Sequence, residues 1–134
     1  MRAMRAEQFR GYEGLKLVDL PQPAVSDGEV FLCMTAAGVT PLEHTILSGQ
    51  YPRAKAPLVL GNEGAGVVEE GGGTDVPVGS HVMFTLPYGV FEDGAYSEWL
   101  AIRQGRPHHL TGFDERRGIH EQAGRKNCPH YPRQ

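Results

Sequence analysis

Short apolar runs closed by glycine turns decide what this chain can become. Residues 15–20 (LKLVDL) alternate apolar and polar side chains, and residues 29–37 (EVFLCMTAA) are almost continuously apolar. Further runs of strand character follow at 64–69, 80–85 and 95–102, with Asp27-Gly28, Gly71-Gly72-Gly73, Val78-Gly79 and Asp93-Gly94 between them. Alternation has the two-residue period of a half-buried strand, and an unbroken apolar run suits a strand covered on both faces. Short strands at this cadence predict a mainly β structure, a barrel or sandwich. The 18 glycines and 10 prolines point the same way, because both residues weaken helix interiors.

The remaining segments fit around those strands. Residues 1–9 read as a first strand, and Pro21 and Pro23 end the second, since proline removes a ladder donor. Thr40 is placed to cap a short helix with Pro41 at its first position, where a missing N–H costs nothing. Ser48 ends that helix and Gly49 stops it. Residues 50–60, with Pro52 and Pro57, read as a loop. A buried set of Val18, Leu20, Val30, Leu32, Val67, Val68, Val82, Phe84 and Leu100 is the expected core. After Leu110 the apolar periodicity stops, and residues 111–134 read as a loosely ordered tail that cannot offset its ordering entropy.

The formal net charge of −3 gives no reason to expect nucleic acid or an anionic membrane as partner. Two cysteines, Cys33 and Cys128, are too few for a disulfide scaffold, and Cys33 in its apolar run reads as a core thiol. With no long apolar segment and no secretory leader pattern, the expected location is cytoplasmic.

Three stretches carry chemistry together. They are residues 36–44 (AAGVTPLEH), then residues 48–52 (SGQYP) with 57–68 (PLVLGNEGAGVV), then residues 77–84 (PVGSHVMF) with 94–99 (GAYSEW). Their order and spacing resemble the N-terminal, GroES-like catalytic domain of the medium-chain dehydrogenase/reductase superfamily, and within it the zinc-independent quinone oxidoreductases. The resemblance covers roughly residues 3–110, and it is specific as an ordered set. It implies a partly open β-barrel with one or two short helices over residues 1–110.

By the same resemblance, zinc-dependent members carry a cysteine where Thr40 stands and a histidine where Asn62 stands. Hydroxyl and amide are poor ligands for tetrahedral zinc, so no metal site is expected. Zinc-free members transfer hydride from NADPH to a quinone or other conjugated carbonyl. The candidate catalytic residues implied are Thr40, Tyr51 and Asn62, lining the substrate cleft and donating hydrogen bonds to an oxygen that gains charge. Thr40 is also the implied cofactor contact. The family's Rossmann domain is expected to begin near residue 120, and no G-x-G-x-x-G on a strand-to-helix turn occurs in these 134 residues. The expectation is a truncated or frame-shifted catalytic domain, inactive alone, whose uncovered cleft face favours self-association.

Simpler readings stand beside these. Thr40 serves equally as a plain cap, Asn62 as a turn residue and Tyr51 as packing. Glu63 reads as structural, paired inside the domain. Glu43 and His44 read as a surface pair, because adjacent helical residues point apart. His108, His109, His120, His130 and Cys128 fit no common zinc spacing. The competing function is a non-catalytic binding or assembly module on the same barrel.

Overall fold

The computed structural model describes residues 1–104 and the backbone of Thr111–Gly112. Among the described residues, eight strands and one short helix run in the order β1 (Arg2–Ala6), β2 (Leu15–Asp19), β3 (Glu29–Ala37), α1 (Pro41–Leu47), β4 (Leu58–Val59), β5 (Gly64–Glu70), β6 (His81–Phe84), β7 (Trp99–Arg103) and β8 (Thr111–Gly112). A single 3-10 turn, Tyr12–Gly14, precedes β2. The strands form two antiparallel sheets, β2-β1-β4 and β7-β3-β5-β6-β8. An isolated bridge between Ala3 and Ser97 ties the small sheet to the segment that leads into β7. The result is mainly β, as the turn cadence predicts, and is the partly open barrel that the resemblance implies.

The continuous apolar run of β3 is explained by burial on both faces. Val30 and Leu32 point inward against Val68, Val82, Phe84, Leu100 and Ile102. Phe31 and Cys33 point the other way, and the Phe31 ring stacks on Trp99 with centroids 4.8 Å apart. Gly66 in β5 lets this pairing close. A Cβ there would stand 2.6 Å from the Cys33 carbonyl oxygen. A second cluster (Ile46 and Leu47 of α1 with Ala6, Leu58, Leu60 and Val90) seats the helix on the small sheet.

Several expectations need correction. Residues 58–59, read as loop, pair with β1 as β4. Residues 95–98 are not the start of β7. Their amides are drawn aside by long-range partners: Ala95 N–H donates to Gly61 O and Tyr96 N–H to Leu60 O, both at 2.9 Å. Val18 and Leu20 are half-buried rather than core, because β2 is a sheet edge. Cys33 is buried as expected. The tail reading lies outside the described residues apart from Thr111–Gly112, whose backbone pairs with β6. His108, His109, His120, Cys128 and His130 also lie outside them.

Candidate functional site

The site begins where β3 hands over to α1. Thr40 holds an extended backbone, φ −120° and ψ 162°, and caps the helix as its sequence position predicts. Its Oγ1 accepts from Leu42 N–H at 3.3 Å. Glu43, three residues on, reaches back so that its Oε2 accepts from Thr40 N–H at 2.7 Å. Two otherwise orphaned donors of the first turn are thereby satisfied.

A second segment arrives from far along the chain. Gly61 takes φ +99°, a left-handed conformation that a side chain resists, and its missing Cβ leaves room for the backbone of Ala95 and Tyr96. That turn delivers Asn62 against the helix start. Asn62 N–H donates to Glu43 Oε1 at 2.9 Å, and its Nδ2 donates to Thr40 Oγ1 at 3.2 Å. The Thr40 hydroxyl itself donates to Glu43 Oε2 at 2.6 Å. Glu43 is 2% exposed and Asn62 8% exposed, while Thr40 is half-buried. Thr40, Glu43 and Asn62 therefore form one connected polar cluster in a largely apolar wall.

Tyr96 lies beside this cluster. Its hydroxyl donates to Gly38 O at 3.0 Å, holding the end of β3 that leads to Thr40. Burial, and then the nearby Glu43 carboxylate, push its phenol up to about 12. Tyr96 also lines an open groove of 320 Å³, with Arg2, Met4, Met34, Ala36 and Glu98. Thr40, Tyr51 and Asn62 do not line that groove.

The structure thus joins two of the three residues expected to line a cleft, and leaves the third apart. Tyr51 packs half-buried against the α1 cluster, its ring 6.4 Å from that of Phe91. The Arg53 guanidinium covers Phe91 at 5.1 Å. Among the described residues the Tyr51 hydroxyl makes no hydrogen bond to Thr40, Glu43 or Asn62. Glu43 is a correction: it is no surface residue but the buried centre of the cluster. The signal was present, since Thr40-Pro41-Leu42-Glu43 has the S/T-x-x-E spacing of a capping box. His44 does remain exposed, with its ring 5.8 Å from Tyr12. Glu63 is exposed; its carbonyl accepts from Gly38 N–H at 3.1 Å, and its side chain lies across Gly38.

The donor set does not fit tetrahedral zinc. The site presents a hydroxyl, a carboxamide and one carboxylate whose oxygens are already engaged, where zinc prefers thiolate and imidazole. Among the described residues no group of three or more His, Cys, Asp or Glu side chains is gathered to hold a metal ion. Nor do these residues fit a nucleotide's phosphates. The N-terminus of α1 is closed by Glu43, and Gly61 and Gly64 lead into a strand.

A model of the alcohol dehydrogenase GroES-like domain matches residues 26–119. The S-(hydroxymethyl)glutathione dehydrogenase of Escherichia coli O1:K1 is 38% identical over 111 residues, covering 78% of this chain and 30% of that protein. Among solved structures, the quinone oxidoreductase of Pseudomonas syringae pv. Tomato DC3000 superposes with a TM-score of 0.71 at 31% identity, covering 86% of this chain and 34% of the other. A mycobacterial protein solved in complex with NADPH gives 0.65 at 34% identity, covering 77% and 30%. The chain spans less than a third of the length of the curated relatives it matches.

Proposed function

Because this chain belongs to the alcohol dehydrogenase GroES-like domain family, we propose that it is the substrate-side wall of a zinc-independent, NADP(H)-dependent reductase acting on a quinone or another conjugated carbonyl. One observation carries the reading. Thr40 and Asn62, 22 positions apart in sequence, meet through a hydrogen bond and share the buried Glu43. A neutral amide, braced by a hydroxyl, stands in a water-poor wall, which is what a metal-free site needs to stabilise an oxygen gaining charge. The nicotinamide, held by the whole protein, supplies the hydride. The residues of this chain exclude water and orient the acceptor. Tyr51 belongs to this proposal as an apolar flank, with Phe91 beside it. A cytoplasmic location is part of the same reading; no helix of the described residues is long and apolar enough to cross a membrane.

The likeness to S-(hydroxymethyl)glutathione dehydrogenase favours a second reading, an alcohol dehydrogenase-type activity on the same barrel. The chemistry of Thr40 and Asn62 weighs against its metal-dependent form. The two are separated by assaying this segment joined to the nucleotide-binding domain of a quinone oxidoreductase relative, with NADPH and either 2-cyclohexenone or 1,4-benzoquinone. The proposal expects turnover that survives exhaustive treatment with a zinc chelator. Activity that appears only when zinc is restored would overturn it.

A further inference from the structure

The proposed wall has more hydrogen-bonding groups than it has free ones, and counting them assigns the roles. A threonine hydroxyl carries one proton and two lone pairs. In this structure Oγ1 of Thr40 uses all three: it donates to Glu43 Oε2 at 2.6 Å and accepts from Asn62 Nδ2 at 3.2 Å and Leu42 N–H at 3.3 Å. The bond to the carboxylate is the short, charge-assisted one, so it claims the proton. The alternative, Thr40 donating to Asn62 Oδ1 at 3.4 Å, is the longer contact. With its proton committed to Glu43, Thr40 can only accept from Asn62. The carboxamide must then turn its NH₂ toward Thr40, which fixes an orientation that is otherwise two-fold ambiguous.

Resting on the reductase reading above, we infer that Glu43 is the positioning residue of the site and that Asn62 alone supplies its donor. Thr40 is not a second donor to substrate; it is the post that Glu43 sets and Asn62 leans on. One N–H of Asn62 is spent on Thr40. The second N–H and the Oδ1 remain for a ligand. The site therefore suits a substrate oxygen that accepts one hydrogen bond from a neutral amide, as the carbonyl of an enone or quinone does. A carboxylate or phosphate needs more donors or a cation than this wall provides. Glu43 also holds the backbone on both sides through Thr40 N–H and Asn62 N–H at 2.7 and 2.9 Å, so the amide is presented from a rigid frame.

The test has a ligand-free arm and a ligand arm, both read on the chain itself by ¹H–¹⁵N spectroscopy of the Asn62 carboxamide. Without ligand, the two Nδ2 protons are expected to be inequivalent, with the one bonded to Thr40 downfield. Thr40→Val should remove that downfield shift. Glu43→Gln, close in shape, should move it by freeing the Thr40 proton, while Thr40→Ser should restore the wild-type pattern. Carboxamide shifts left unchanged by both Thr40→Val and Glu43→Gln would overturn the inference. The outlying amides of β3 in the same spectra report whether each variant is folded. In the second arm, 2-cyclohexenone should shift the other, free Nδ2 proton in a saturable way. A shift at Thr40 without one at Asn62 would also overturn the inference. A silent ligand arm with the expected ligand-free pattern would instead count against the reductase reading, and leave the assignment of Glu43 supported.

Discussion

Asn62 reaches the helix start only because the residue before it is glycine. At φ +99° a Cβ on residue 61 would be strained, and it would stand 2.8 Å from the backbone nitrogens of Ala95 and Tyr96. Neither neighbour is the free end of a flexible side chain, so the strain cannot be relieved cheaply. Gly61→Ala should cost about 2 kcal/mol or more, read as a lowered urea midpoint at unchanged slope. A midpoint within error of wild type would show that the turn does not carry the load argued here. Tyr96 offers a test of the electrostatics at the same scale. Its phenol is raised from 10 to about 12, so between those values the folded state holds a proton that the unfolded state releases. The stability this contributes is intact below pH 10 and is lost as pH rises toward 12. Wild type should therefore lose stability more steeply than Tyr96→Phe across that window. Parallel pH profiles for the two proteins would contradict the burial assigned to the hydroxyl.

Helix α1 is seven residues long, too short to stand without help. Two things hold it: Ile46 and Leu47 in an apolar cluster, and the box formed by Thr40 and Glu43. Removing the two box members should have unequal effects. Thr40→Ala should cost about 1–2 kcal/mol, the usual loss of a cap. Glu43→Ala leaves Thr40 N–H, Thr40 Oγ1–H and the buried Asn62 N–H without their acceptor, and should cost about 3 kcal/mol. Equal losses in thermal or urea unfolding would argue that Glu43 is no more than a cap. The helix was legible from the chain because Thr40, Pro41 and Gly49 are local signals. The strand β3 was legible because its apolar run needs no partner to be recognised. What could not be read depends on distant partners. Nothing local marks Leu58–Val59 as a strand, since its pairing residues lie in β1. Ala95 and Tyr96 look extended in sequence, but their amides bond to Gly61 and Leu60, and of residues 95–98 Glu98 bonds to β3, through Met34 N–H. Glu43 was misplaced for a related reason: its burial is set by Asn62, 19 positions later.

Across the whole molecule, the two sheets are unequally joined. The large sheet pairs β3 with both β5 and β7 over most of their length, whereas β4 meets β1 at only two residue pairs. The small sheet is tied to the segment leading into β7 by the Ala3–Ser97 bridge and by backbone bonds such as Met4 N–H to Tyr96 O at 2.7 Å. Native-state hydrogen exchange should follow that order. Amides of Leu32, Cys33 and Val68 should exchange slowest, and Ala6 and Val59 markedly faster. Uniform protection across both sheets would mean that the barrel opens as one unit. The exposed ion pairs add little to this account. Arg2 with Glu98 at 2.8 Å has its arginine side chain 59% exposed, so such pairs are worth about 0–1 kcal/mol and are screened by salt.

The proposed site stands on this frame, and the central claim is that the frame presents the uncharged amide of Asn62 as a hydrogen-bond donor to substrate without a metal. The most direct measurement is the affinity of the chain for 2-cyclohexenone, wild type against Asn62→Asp, in buffer containing a zinc chelator. Aspartate keeps the shape of asparagine and removes the donor. The account predicts saturable binding by wild type and a loss of about tenfold or more in the variant, the equivalent of one lost hydrogen bond. Equal affinity in the two proteins, or binding that appears only after zinc is added, would contradict it.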